Sequence, residues 1–578
     1  MKKLLALAAL TLMPCWAAED AVLKAMHDEL QRSMTLQFDS LEKPYYIEFD
    51  LDDAHRVAIS GMFDGILSVE DEHFRVPRVR VRVGSPQFDN TNYVGNRGGR
   101  IGTRYPLDDD YNVLRHSFWL TADQAYKAAV EAISRKRAAL KNMSVTEELP
   151  DFSPAKQMHL LDEIKPAKLD LEGWKQRVKQ LAAEFLKYPE LRAPTAEYMA
   201  LDGVSRMASS EGGEVRTIEQ VSQIKLRASA QAKDGMSVRD AYVFDCLGID
   251  HLPAQNELVK AADELGAYVT KLAAAPRGED YSGPVLFEGP AAAQLFAELL
   301  GRNLAPSRKP VTDPGQGGGG TASELEGRVG SRILPDIFSV TDDPTLKESQ
   351  GQRLFGTMRV DEDGVEAKPL SLVEKGVLKN FLLTRTPVRG FPTTNGRARL
   401  QGAFGGNVAA ITNMIVRAGE TVSRDKLKLQ LIDMLKQRER PYGMIVRKMD
   451  FPSSASAGEL RRLVGGAARS GGSRPVSIPL RIYQVYADGH EELVRGLRFR
   501  ALNVRSLKDI VAAGDDSNVF NYLENGALFA LMGAGAETAE TSVVAPSILV
   551  DDLELVRIED EQPKLPVVPA PQLTSSLQ

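Results

Sequence analysis

The spacing of apolar and polar residues changes several times along the chain, and each spacing dictates an element. Val22, Leu23, Met26 and Leu30 recur every three or four residues, which predicts a helix over Ala21 to Met34. Alternation replaces that period in Tyr45 to Phe49, Ala58 to Phe63 and Arg78 to Val83, as expected of strands. The last places Val79, Val81 and Val83 on one face and Arg78, Arg80 and Arg82 on the other. A solvated sheet face is expected for these arginines rather than an anion-binding ladder. Thr121 and Gln124 have the spacing of a capping box and predict a helix running to about Met143. A second helix covers about Leu171 to Lys187, and the polar, proline-bearing stretch Glu148 to Pro166 connects the two. Ile224 to Ala228 and Ala241 to Phe244 flank Asp234-Gly235 and predict a hairpin. A helix over Asn256 to Leu272 follows, and Ala275 to Asp280 reads as a domain boundary.

Beyond that boundary short alternating runs such as Leu370 to Val373 and Ile482 to Tyr486 are punctuated by Gly364, Gly376, Asn395-Gly396, Gly405-Gly406 and Asp488-Gly489. This pattern predicts a mostly antiparallel sheet domain interrupted by one helix near Arg424 to Lys436. Pro314 to Gly320 and Phe451 to Ser473 read as mobile surface loops, and the prolines of Pro563 to Pro571 make an extended tail. The expected fold class is α+β with two domains. The divisions are a signal peptide at 1–18, an N-terminal α/β domain at 19–278, a β-rich domain at 279–560 and a Pro-rich tail at 561–578.

The N-terminus bears on compartment. Lys2 and Lys3 precede an apolar run from Leu4 to Met13 and the small residues around Ala17, the layout of a cleavable secretory signal. Cys15 is also readable as a lipid-attachment site, but Leu12, Met13 and Pro14 before it argue against that. No later run is long enough to span a bilayer. The expectation is an exported, periplasmic protein. The formal charge of -6 lacks the basic footprint that a nucleic-acid partner requires.

Candidate chemistry is limited by seven His and two Cys in the whole chain. Cys246 lies in an apolar run, and its expected role is that of a small buried hydrophobe. Gly315 to Thr321 lacks the lysine that a phosphate loop needs. Val285 to Phe287 predicts a buried strand leading through Gly289 and Pro290 into an alanine-rich helix that ends at Gly301.

At this helix the sequence resembles the TldD/PmbA family, the metalloprotease-like proteins once called modulators of DNA gyrase. The likeness extends, in order, through Val79 to Gly84 with Phe88 to Tyr93, Glu324 to Ser331, Asp342-Asp343-Pro344, Asp361 to Val365 and Leu372 to Leu382. It continues through Asn395-Gly396-Arg397, Thr412-Asn413 and Ala545 to Val550. The resemblance implies two domains, a dimer enclosing a cavity and, in the catalytic branch, peptide hydrolysis by a metal held on His-Glu-x-x-x-His and a later cysteine. Three protein ligands of that kind leave a position open for water, with the glutamate as base. Here Ala297 stands at the first histidine, Arg302 at the second, and Leu531-Met532-Gly533 falls near the cysteine. Only Glu298 persists, and at a spacing of four it is expected to pair with Arg302.

Two readings follow. The first is a family member without its own metal, acting as a peptide-binding or partner subunit, as a homodimer or beside a catalytically complete paralogue. The second is an active metallopeptidase holding zinc or iron at a site completed across an interface or by Asp342, Asp343, Asp361 and Asp363. These aspartates are themselves expected in hairpin turns. A gyrase or DNA modulator fits neither the export signal nor the charge.

Overall fold

The computed structural model describes residues 20–94, 105–141, 149–249, 251–312, 323–402, 404–450, 476–525, 538–568 and 571. The signal-like stretch, both glycine-rich loops and Met532 therefore lie outside the described residues. The N-terminal part runs α1 (Ala21–Ser33), β1 (Pro44–Met62), β2 (Gly65–Ser85), β3 (Phe88–Asp89), α2 (Tyr111–Lys141), β4 (His159–Leu161), α3 (Leu171–Ala183), β5 (Leu191–Ser209), β6 (Glu214–Gln231), β7 (Ser237–Leu247) and α4 (Gln255–Ala274). The C-terminal part opens with β8 (Tyr281–Phe287) and α5 (Pro290–Phe296). It continues β9 (Phe338–Asp342), β10 (Glu348–Ser349), β11 (Gln352–Arg353), β12 (Leu370–Glu374), β13 (Val377–Leu378), β14 (Ala398–Gln401), β15 (Asn407–Ala409), β16 (Asn413–Ala418) and α6 (Arg424–Gln437). It closes with β17 (Tyr442–Met449), β18 (Pro479–Tyr486), β19 (Glu491–Val494), β20 (Leu497–Arg500), β21 (Ile510–Ala513), β22 (Asn518–Asn525), β23 (Thr538–Ala545) and β24 (Ile548–Arg557).

The N-terminal sheet has the order β3-β2-β1-β5-β6-β4, with β7 also on β6. All four helices cover one face, because β1 points its odd-numbered apolar residues that way along its whole length. Ile47, Phe49 and Leu51 pack with Val79, Val81 and Val83 beneath α1 and α2. Val57 and Ile59 pack with Tyr198, Ile224 and Leu226 beneath α3 and α4. The opposite face, carrying Glu48, Asp50 and Asp52, turns toward the C-terminal part.

That part holds two six- and seven-stranded sheets, ordered β13-β12-β9-β16-β23-β22 and β19-β18-β17-β8-β24-β20, the second with β21 on β24. Their facing residues, among them Phe287, Val340, Met414, Val446 and Val543, enclose α5 in one continuous core. Helix α6 covers the outer face of the second sheet through Leu427, Leu431 and Ile432 against Leu286, Ile445 and Leu549. The described strands are mostly antiparallel, with parallel pairings at β16 with β23 and β17 with β8. This is the α+β architecture expected. No helix among the described residues is long and apolar enough to cross a membrane.

Three local expectations are corrected. Helix α2 begins at Tyr111, and Thr121 is an interior residue whose hydroxyl donates to the Ser117 carbonyl (2.8 Å). A Ser/Thr hydroxyl can bond back along a helix as well as cap one, so the spacing alone misplaced the start. Cys246 is half-buried rather than buried, its thiol donating to the His251 carbonyl (3.0 Å) and pushed up in pKa by burial, which leaves it unreactive. The arginine stripe is not a solvated face. Register places Arg80 across from Glu48 and Arg78 across from Asp50. The 361–364 turn then closes over them, with Glu362 3.3 Å from Arg78 and Asp363 3.7 Å from Arg80. Arg82 is buried on Asp89 (2.7 Å).

Candidate functional site

Strand β8 is buried along most of its length between β17 and β24, and it delivers the chain to Gly289. A positive φ of 62° at Gly289 turns the strand sharply into α5, and Pro290 supplies a preset first helical residue. The Gly289 amide donates to Ser547 Oγ (3.1 Å), and Ser547 in turn donates to Asp516 (2.6 Å). The Ala545-Pro546-Ser547 motif therefore anchors the start of this helix. Ala291, Ala292 and Ala293 let the helix pass between the two sheets without filling space that the sheets themselves occupy.

After Phe296 the helix widens into a π-turn over Ala297–Gly301 and tightens into a 3-10 turn at Arg302–Leu304. A π-turn rotates successive side chains off the ordinary helical spacing, and such turns recur at functional sites. Glu298 sits on it, 9% exposed. Its Oε1 accepts from Gln294 Nε2 (2.8 Å) and its Oε2 from the Ser477 amide (2.8 Å). Gln294 also donates to the Asp450 carbonyl (2.9 Å), and the Asp450 carboxylate pairs with Arg239 of β7. The glutamate is thus wired through Gln294 and Asp450 to the N-terminal sheet. Arg302 lies half-buried one turn beyond.

The sequence pointed to Glu298 but not to Ser477, Asp450 or Arg239, because their contacts join residues far apart in the chain. Gln294 was legible, four residues before Glu298 on the same helix.

The donors on this turn do not fit a zinc ion of the family type. Ala297 presents a buried methyl group, Arg302 a permanent cation, and both oxygens of Glu298 already accept N–H groups. Among the described residues no three His, Cys, Asp or Glu are grouped so as to hold a metal.

The other candidate aspartates are each engaged in structure. Asp342, expected in a turn, ends β9 fully buried on Arg397 Nε (2.5 Å) and on the Thr412 amide (2.8 Å) and hydroxyl (2.7 Å). Asp343 caps a turn through Thr345 (2.9 Å). Asp361 accepts the amides of Asp363, Val365 and Ala398 (2.9–3.0 Å), and Asp363 accepts from the Arg385 amide and Asn407.

Residues 280–468 match the family model of the PmbA/TldA metallopeptidase C-terminal domain. A curated metalloprotease of Archaeoglobus fulgidus is 37% identical over 81 residues, 14% of this chain and 18% of that protein. One from Methanocaldococcus jannaschii is 28% identical over 99 residues, 17% of this chain and 19% of its own length. The aligned segments thus span under a fifth of these relatives. TldE from Thermococcus kodakarensis superposes with a TM-score of 0.55 at 14% identity, covering 92% of this chain and all of its own. A Thermotoga maritima protein named as a candidate modulator of DNA gyrase gives 0.54 at 14%, covering 88% of this chain and 96% of its own. At such identities these two establish the shared fold alone. Residues 280–468 thus carry the C-terminal domain of the PmbA/TldA metallopeptidase family, on a fold the whole chain shares with TldE and the Thermotoga protein.

Proposed function

We propose that this protein is an exported TldD/PmbA-family subunit without a metal site of its own. It holds peptides or partners another subunit, in a homodimer or with a catalytically complete paralogue. The observation that carries this reading is the π-turn, where Ala297 and Arg302 offer no ligand and Glu298 is spent on Gln294 and Ser477. The curated relatives' names as metalloproteases support peptide as the ligand class. The Lys2-to-Ala17 stretch supports export.

Metal analysis of the protein purified from its native envelope tests the reading. The expected result is zinc and iron well below one per chain, and peptide hydrolysis that Glu298→Gln changes less than about twofold. A working general base would contribute roughly 10²- to 10⁴-fold. Stoichiometric metal, with chelator-sensitive hydrolysis that Glu298→Gln abolishes, overturns it in favour of an active metallopeptidase. The same preparation reports whether the partner is a second copy or a paralogue with an intact His-Glu-x-x-x-His helix.

A further inference from the structure

After β24 the chain leaves the C-terminal part and crosses back to the N-terminal one. The Ile558 amide donates to the Gly496 carbonyl (2.9 Å), and its own carbonyl accepts from Arg277 Nη2. Five residues further the Pro563 carbonyl accepts from Gln231 Nε2 (2.8 Å), at the end of β6. Beyond that contact Leu565, Val567 and Val568 are exposed. Residues 558–563 are therefore laid across the β6–β7 turn.

The turn is built to be gripped there. The Ala232 amide donates to the Met236 carbonyl (2.8 Å), and the Gly235 amide to the Ala232 carbonyl (2.9 Å). Gly235 has a φ of 90°, and a Cβ on it would lie 2.7 Å from the Pro563 oxygen and 3.2 Å from Gln562 Cβ. Only glycine lets the tail close down on this position. From the other side Arg495 reaches Asp234 (3.0 Å) and the Met236 sulfur (3.2 Å), while its Nε donates to the Ala275 carbonyl (2.8 Å). The tail, the Arg495-Gly496 turn and the 275–278 linker thus meet on one hairpin turn. That linker carries the chain from α4 to β8, and short segments of this kind are where packed units hinge.

The grip is incompletely satisfied. Gln231 Nε2 serves both Pro563 and the Gly235 carbonyl (2.9 Å), but Gln231 Oε1 is buried with no hydrogen-bond partner among the described residues, and so is Arg277 Nε. A polar atom buried without a partner works against the contact that buries it. The tail is held as a closure that opens readily.

What the turn carries gives that closure a consequence. Shortly beyond Met236, β7 presents Arg239 to Asp450 and Asp240 to Lys448 and Arg481. The Asp450 carbonyl accepts from Gln294, which also donates to Glu298. One strand and a short chain of polar contacts join the gripped turn to the π-turn.

We infer that residues 558–563 form a releasable clasp on the β6–β7 turn, whose opening loosens β7 and, through Arg239 and Asp450, the π-turn that carries Glu298. The inference concerns motion at that site and stands whether or not the site holds a peptide.

Hydrogen–deuterium exchange read by mass spectrometry tests it on the native protein, on a chain cut back to end at Glu559, and on Gln231→Ala, which keeps the tail and removes its pin. In the shortened chain the amides of residues 232–241 and 294–301 are expected to exchange at least about tenfold faster, with α1 and α2 at native rates. Gln231→Ala is expected to show the same pattern more weakly. Faster exchange at 232–241 with native rates at 294–301 means that the tail covers the turn without reaching the π-turn, and overturns the inference. Faster exchange throughout, α1 and α2 included, makes the tail a general support of the fold and overturns it as well. Native rates at 232–241 in either variant also overturn it, since the tail then holds nothing or is not held by Gln231. Should the shortened chain fail to fold, Gln231→Ala decides.

Discussion

At the scale of single residues, the buried Asp342 explains why three short motifs far apart in the chain carry the family resemblance together. Asp342-Asp343-Pro344, Asn395-Gly396-Arg397 and Thr412-Asn413 meet because Arg397 and Thr412 both bind the Asp342 carboxylate. Arg397 further donates to the carbonyls of Lys368, Asn395 and Gly396, so all of its polar edge is used inside the protein. Both side chains of the pair are 0% exposed. Removing one partner strands the other charge out of water, at a cost of about 3–5 kcal/mol, whereas the intact pair itself adds little. Arg397→Met is therefore expected to lower the unfolding free energy by that much, read as a lower urea midpoint at an unchanged slope. The double variant Arg397→Met/Asp342→Leu should recover most of the loss. The sequence presented Asp342 as a turn residue, because short-range spacing cannot show a partner 55 positions away.

At the scale of elements, the arginine stripe of β2 shows what an alternating pattern does and does not disclose. The alternation placed the valines inward correctly, since a strand's faces are set by a period of two. It could not say what covers the other face. A clue was present: Glu48 and Asp50 alternate on β1 with the spacing of Arg78 and Arg80, and the hairpin sets Glu48 opposite Arg80 and Asp50 opposite Arg78. The turn from the other domain that seals the cluster has no such local signature. Sealing has a measurable consequence. Burial pushes the Glu48 carboxyl up to about 8. Arg80 opposes that rise while Asp50 and Asp363 add to it, and Tyr46 donates a hydrogen bond to the carboxylate. Burial raises Asp50 and Glu362 as well. Above its unfolded value near 4.5 the unfolded chain releases this proton and the folded one keeps it, so stability falls as pH rises toward 8. The opposing carboxylates Asp20, Asp53 and Asp89 are held low by arginines and matter only below their ordinary range. Chemical unfolding should find the protein more stable near pH 5 than near pH 8, by on the order of 2 kcal/mol. Glu48→Gln, neutral at both, should flatten that slope. An unchanged slope would mean that water reaches the cluster.

At the scale of the whole molecule, the texture of the sequence changes near Ala275, and β1–β7 form one sheet while β8 and the later strands form the others. How the two parts dock was not legible in that texture. The junction is built from charges that meet across it. Phe152 is stacked between the guanidinium groups of Arg82 and Arg385, 3.9 and 3.8 Å from its ring. Asp240 of β7, fully buried, takes Lys448 of β17 and Arg481 of β18 at 2.8 Å for the arginine. Burial pulls the Lys448 amine down, so this cation stays charged through Asp240 rather than through water. A domain with its own core can fold alone, and contacts of this polar kind are where two such cores would come apart. Asp240→Ala leaves two cations facing each other in the junction without the carboxylate that binds both. It should cost about 2–4 kcal/mol, less than a fully buried pair because Lys448 and Arg481 are each about a fifth exposed. The loss is expected at the junction and not in either core. Calorimetry of the variant should therefore resolve two transitions where the native protein shows one, and limited proteolysis should cut between Ala274 and Tyr281 before either sheet is attacked. A single transition at lower temperature would show instead that the two parts share one cooperative core, and that the charges merely tune it.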